Sequence, residues 1–151
     1  MFKNLSRRVA LAGVMAIALS TSALADSPPA MGLGQSWPNT VDVSPNPGWH
    51  AYVFMLGGVK YVQINDINGN VLGAVGTVNG QFITLPIGRF SQLVATPQEP
   101  AASPTTATPV ASPSTVYQDT TTTVTATPLS NGTVLLNAMA CDPIECNNGR
   151  Q

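Results

Sequence analysis

Charge is scarce in this 151-residue chain: Lys, Arg, Asp and Glu make up 9% of it, against about 25% in ordinary globular domains. That excludes a basic nucleic-acid-binding surface and a large polar active site. Histidine occurs once, at His50, and cysteine only at Cys141 and Cys146. The longest apolar run near the N-terminus extends only from Val9 to Leu19. This is well short of the about 20 residues that a membrane-spanning helix needs. The scarcity of proton-transfer groups and the single histidine point away from an enzyme, a metal centre and a bound cofactor.

The segment 1–25 has the three parts of an export signal. Lys3, Arg7 and Arg8 form a basic start, Val9 to Leu19 is apolar, and Ala23-Leu24-Ala25 supplies small residues before a cleavage point at Asp26. No cysteine follows that point, which speaks against a lipid anchor. Ser6-Arg7-Arg8 partly resembles a twin-arginine signal, but Ala10 stands where a bulky residue is usual, so general secretion is preferred. Cleavage there leaves 26–151 as the mature chain. In it Lys60, Arg89 and Arg150 oppose seven acids, for a net charge of −4. The expected destination is the periplasm or the exterior, with no stable membrane anchor after cleavage and no nucleic-acid partner.

Cys141 and Cys146 fit an oxidising compartment, which pairs such thiols. Redox-active pairs usually have two intervening residues, whereas here there are four, including Pro143. A zinc site needs two more ligands, and His50 is the only imidazole. A structural disulfide clip is the preferred reading.

From 26 to 48 the chain is rich in Pro, Gly, Ser and Asn and reads as an irregular lead-in, with Leu33 and Trp37 as docking points. From Trp49 the pattern changes. Gly57-Gly58, Asn68-Gly69 and Asn79-Gly80 are evenly spaced turn signals between runs rich in Val, Ile, Tyr and Phe. A pair of turn residues followed by one strand, repeated at equal intervals, predicts an antiparallel meander over 49–96. Two-residue turns pair Leu56 with Val59, Ile67 with Asn70, and Val78 with Gln81, and the remaining register follows by counting outward. One face then carries Phe54, Tyr61, Gly76 and Ile83 beside Tyr52, Gln63, Ala74 and Leu85. The other carries Val53, Val62, Val75 and Thr84 beside Ala51, Ile64, Gly73 and Pro86.

Both faces are substantially apolar, so something must cover the second. Phe90 to Ala95 is a candidate fifth strand. A hairpin is expected within 116–140, between Thr120–Ala126 and Thr133–Met139, with a clipped tail at 141–151. From Pro97 to Thr115 nearly every residue is Pro, Ala, Ser or Thr, a composition that predicts a disordered or polyproline-like segment over 97–115. The expected fold is therefore all-β. A meander of four to five strands plus a C-terminal hairpin forms a small sandwich or partly open barrel, or leaves one face for self-association.

Motifs with chemistry are few. A Ser-His-Asp arrangement assembled from His50, Asp42 or Asp66 and a serine has no nucleophile-elbow context. Asp66-Ile67-Asn68-Gly69-Asn70 superficially resembles a calcium loop but is followed by no Glu until Glu99, so a hairpin turn is preferred. Asn131-Gly132-Thr133 also reads as a turn. The one recognition feature is aromatic: Trp37, Trp49 and Tyr52, with His50, cluster near the start of the meander. Aromatic faces of this kind stack on sugar rings or proline-rich peptides, and they also fill cores.

The run from Ser27 to Pro38, the meander ending in Leu85-Pro86-Ile87-Gly88, and the closing Cys141-Asp142-Pro143-Ile144-Glu145-Cys146 together resemble a group of short exported proteins of Gram-negative gammaproteobacteria with no assigned activity. The resemblance implies export and brings no catalytic or binding residues. The leading expectation is a non-catalytic envelope module that contacts another envelope protein or itself. The alternative is a small-ligand or glycan-binding module built on Trp37, Trp49 and Tyr52.

Overall fold

Four strands joined by tight turns build the first half of the protein, as the glycine spacing requires. The computed structural model describes residues 30–102, 106–141 and 146; the expected signal at 1–25 and most of the tail beyond Cys141 lie outside the described residues. The strands β1 (Trp49–Leu56), β2 (Val59–Asp66), β3 (Val71–Val78) and β4 (Gln81–Thr84) form one antiparallel sheet in sequence order. A second sheet contains β5 (Val94–Ala95), β6 (Ser114–Gln118), β7 (Thr122–Pro128) and β8 (Val134–Ala140), in the order β5-β8-β7-β6. The protein is all-β, with two four-stranded sheets and no closed barrel among the described residues.

The register of the meander follows its turns. Gly57 and Gly58 have φ of 58° and 80°, and Asn79 and Gly80 have 50° and 76°. Positive φ at both central residues is the type I′ requirement, which matches the twist of the flanking strands. Leu56 accordingly pairs with Val59 and Val78 with Gln81, and the rows through Val53–Val62–Val75–Thr84 and Phe54–Tyr61–Gly76–Ile83 form as counted.

The middle turn differs. Ile67 does not pair with Asn70; Asp66 closes the loop, donating its N–H to Asn70 O at 3.0 Å. Its carboxylate accepts from the N–H groups of Asn68 and Asn70, at 2.9 Å each, and from Asn70 Nδ2 at 2.8 Å. An Asp that bonds the backbone two and four residues ahead stabilises a wider loop than a two-residue hairpin. The mismatch is absorbed by a bulge, where Ile64 still pairs with Gly73 but Asn65 pairs with Val71.

The two sheets pack face to face. Ala51, Val62, Ile64, Val75 and Phe82 of the first meet Val94, Val116, Val124, Leu136 and Ala138 of the second in one buried cluster. Each of the larger side chains contributes about 1.5–3 kcal/mol on burial. Gly73 lets the sheets approach closely, since a Cβ there would lie 2.7 Å from Val94 Cγ2 and 2.8 Å from Leu136 Cδ1.

Three sequence expectations are corrected here. The fifth strand is shorter than Phe90–Ala95: a 3-10 turn spans Ser91–Leu93, and Val94–Ala95 pairs in parallel with β8 of the other sheet. The bend at Gly88 turns the chain across β3, where Arg89 and Phe90 donate their N–H groups to Val71 O and Leu72 O, so the chain leaves the meander. The C-terminal hairpin forms, but β6 joins it as a third antiparallel strand, starting at Ser114 inside the segment expected to be disordered or polyproline-like.

That segment, 97–115, is also docked at several points. Ser130 N–H donates to Thr108 O at 2.9 Å, Val110 N–H donates to Pro128 O at 3.0 Å, and Pro109 bridges Leu129. Gln98 Oε1 accepts the N–H of Phe82, and Glu99 accepts the Thr84 hydroxyl, which covers the edge of β4. A Pro/Thr-rich chain is already extended, and its carbonyls are free to accept, so it adds to strand edges without a large apolar surface of its own.

Candidate functional site

The outer face of the first sheet, turned away from the core, has a polar end and an apolar end. At the polar end Gln63 and Asn65 are fully buried, and their side-chain amides reach the lead-in. Gln63 Oε1 accepts from Gly34 N–H at 2.6 Å, Gln63 Nε2 donates to Gln35 O at 2.8 Å, and Asn65 Nδ2 donates to Ser36 O at 2.7 Å. Gln63 Nε2 also donates to Asn65 Oδ1. Buried amides cost heavily when unpaired. Here three of their hydrogen bonds go to residues 34–36, immediately before Trp37, and Asn65 Nδ2 also reaches Gly69 O at 3.4 Å.

Trp37 is thereby laid over the β2–β3 turn. A Cβ at Gly69 would sit 2.6 Å from indole Cε2 and Cζ2, so only glycine leaves room for the ring there. The outward side of the indole remains open, with Trp37 60% exposed. His50 meets it edge-on, with ring centroids 5.3 Å apart and planes at 68°, and Tyr52 stacks on the far side of His50.

Asp42 holds the imidazole and the strand together. Its Oδ2 lies 2.7 Å from His50 Nδ1, and its Oδ1 accepts the N–H groups of Ser44 at 3.0 Å and Ala51 at 2.9 Å. With Val43 N–H on Ala51 O and a bridge from Asp42 to Tyr52, the lead-in runs along the open edge of β1. Partial burial pushes the Asp42 carboxyl up, but hydrogen bonds from His50, Ser44 and Ala51 outweigh it and hold the group below the usual carboxylate range. Burial and the adjacent Asp42 charge push the Tyr52 phenol up.

The three aromatic residues singled out from the sequence do not form one surface. Trp49 and Tyr52 are three apart on a strand and therefore face opposite sides; Trp49 packs against the core cluster. Tyr52 is on the correct face but is buried, with no ring face open to a ligand. The assembled group is Trp37, His50 and Asp42. The sequence held a signal for His50 in its alternation with Tyr52, whereas the Asp42 contact depends on the path of the lead-in.

The Asp42–His50 pair is one of the combinations weighed as part of a triad. The nearby Ser44 hydroxyl is directed elsewhere, donating to Asn46 O at 3.0 Å. Among the described residues no group of three or more His, Cys, Asp or Glu side chains is arranged to hold a metal ion.

A second polar cluster, not seen in the sequence, lies at the opposite end of the sandwich. Lys60 Nζ on β2 meets Asp119 Oδ2 and donates to Thr121 Oγ1, and the Tyr117 hydroxyl donates to Asp119 at 2.7 Å. Lys60, Val78 and Thr121 help line an open cleft of about 400 Å3 that extends to Cys141. Cys141 and Cys146 form the disulfide, with Cα atoms 5.9 Å apart, and Thr123 Oγ1 lies 3.5 Å from each sulfur.

Fold and site together define a two-sheet β-sandwich with an aromatic and polar surface site at one end. No protein-family model, curated protein or solved structure matches this chain.

Proposed function

We propose that this chain is an exported, non-catalytic β-sandwich that works by contact, docking an envelope protein or a second copy of itself through the apolar end of its outer sheet face. The observation that carries this reading is a two-row ladder beside the hairpin tips. Leu56, Val59 and Val78 share one cross-strand row, and Tyr61, Gly76 and Ile83 lie in the next. Leu56, Val78 and Ile83 are exposed at 48%, 43% and 55%, and neither row contains a charged side chain. Tyr61 and Ile83 close over Gly76 and make the row continuous, since a Cβ there would lie 3.0 Å from Ile83 and 3.1 Å from Tyr61. Contiguous apolar surface of this kind marks contact sites more often than scattered exposed residues do.

Export rests on the basic, apolar and small-residue parts of 1–25, on the cysteine pair, and on the resemblance to exported gammaproteobacterial proteins. The test is crosslinking in cells of a C-terminally tagged chain, with fractionation and mass spectrometry, alongside the Ile83→Lys variant. A stoichiometric partner or self-adduct in the periplasmic or secreted fraction, lost in the variant, is expected. A clean monomer with no adduct, or a cytoplasmic chain that retains residues 1–25, overturns the reading.

A further inference from the structure

We propose that the open face of Trp37, with His50 and Asp42 beside it, is a stacking platform for a single sugar ring of a glycan. The inference is independent of the docking face: Trp37 sits at the β2–β3 turn, and the apolar ladder lies at the opposite end of the same strands.

The argument begins with the positioning of the indole. Two fully buried amides, Gln63 and Asn65, direct hydrogen bonds to the backbone of residues 34–36. The ring itself rests on Gly69 and makes a T-shaped contact with His50. A tryptophan 60% exposed contributes little to the core, yet this one is held from below, from one side and through its own loop. Such holding lowers the ordering cost of binding, the usual requirement of a recognition site.

The neighbours select the ligand class. A pyranose presents C–H groups on one face and hydroxyls around its rim. It therefore matches an apolar plate bordered by hydrogen-bonding groups. His50 Nδ1 is engaged by Asp42, which leaves Nε2 as the imidazole atom for a hydroxyl. The Asp42 carboxylate is itself partly exposed, at 38% of its side chain. A polyproline segment is recognised in a groove between aromatic walls. Here Tyr52 is closed off and the Trp37 and His50 planes meet at 68°, so no second aromatic face runs parallel to the indole to form a groove.

The mature chain with its disulfide intact is titrated with the tetrasaccharides of β-1,4-linked glucose and β-1,4-linked N-acetylglucosamine, with a disaccharide-peptide fragment of peptidoglycan, and with a proline-rich decapeptide. The readouts are the indole Nε1–H resonances of the unaltered chain and the emission of Trp49→Phe, in which Trp37 alone reports. At least one saccharide should shift the Trp37 resonance at millimolar concentration. Trp37→Ala should weaken that saccharide at least about tenfold with the thermal midpoint unchanged. His50→Phe should weaken it while keeping the edge contact. No shift with any saccharide, a shift from the decapeptide alone, or unchanged affinity in Trp37→Ala overturns the proposal.

Discussion

Lys60 on the first sheet and Asp119 beside the second lie 59 residues apart in sequence and meet at 2.5 Å, joining the two sheets at one end of the sandwich. Asp119 also accepts from the Tyr117 hydroxyl and from the N–H groups of Thr121 and Thr122, so one carboxylate organises the β6–β7 turn. Burial pushes this carboxyl up, but Lys60, Tyr117 and Thr121 outweigh it and hold it well below the usual range. The Tyr117 phenol is pushed well above its ordinary value, first by burial and then by its bond to Asp119.

The sign of the pH effect follows. A carboxyl that titrates lower in the folded than in the unfolded chain contributes its full stability above about pH 4. That contribution is lost as acid protonates the folded group. Asp42 and Asp66 are held low by their own hydrogen bonds and act in the same window. Denaturant midpoints measured from neutral pH down to about pH 2 should therefore fall below about pH 4. Asp119→Asn should be about 1–3 kcal/mol less stable at neutral pH, with a shallower acid slope. An unchanged slope would remove Asp119 from this account.

Gly88 predicts an effect of steric origin. Its φ is 99°, and a Cβ there would lie 2.5 Å from both Leu72 C and Leu72 O, which are backbone atoms that no side-chain rotation can move aside. The bend it makes carries the chain from the meander to the second sheet. Gly88→Ala should lower stability by more than about 1 kcal/mol, and the midpoint should fall accordingly. Gly80→Ala is the comparison: its φ is 76° and its Cβ would meet nothing within 4 Å, so it tests backbone strain without the collision.

These glycines also show what a linear sequence conveys. Gly57-Gly58 and Asn79-Gly80 were legible because a tight hairpin sets register through two adjacent residues, and the pairings of β1 with β2 and of β3 with β4 followed from them. Asn68-Gly69 misled because Asp66, two residues before it, supplied a competing set of hydrogen bonds. The parallel pairing of β5 with β8 left no local mark, since it depends on a bend at Gly88 and a partner about 40 residues away. The aromatic site was half legible. Strand alternation places His50 beside Tyr52 and sends Trp49 inward, whereas Asp42 reaches His50 through a lead-in that has no period to count.

The disulfide joins cysteines at a sequence separation of 5, with Cys141 following the end of β8. So short a loop restricts the unfolded chain weakly, and its contribution should be below the about 3 kcal/mol of a 15-residue loop. Reduction of the folded protein, or the Cys141→Ser/Cys146→Ser pair, should lower the thermal midpoint only slightly and leave the β-sheet circular dichroism intact. Loss of the folded signal on reduction would show instead that the tail is essential to the second sheet.

Gln63 and Asn65 offer the sharpest test of how the lead-in is held. Both are fully buried on the outer face, and both direct hydrogen bonds to the backbone of residues 34–36. Gln63→Leu removes two of these bonds and leaves the Gly34 N–H and the Gln35 carbonyl unpaired, at about 1–3 kcal/mol. Asn65→Leu does the same to the Ser36 carbonyl. If the amides hold the loop, either variant should release Trp37 from Gly69. Its emission should move to longer wavelength, and proteolysis should cut within 30–47 while the meander stays intact. A variant that unfolds as a whole, with no earlier loosening of the lead-in, would show that the amides stabilise the sheet and not the loop.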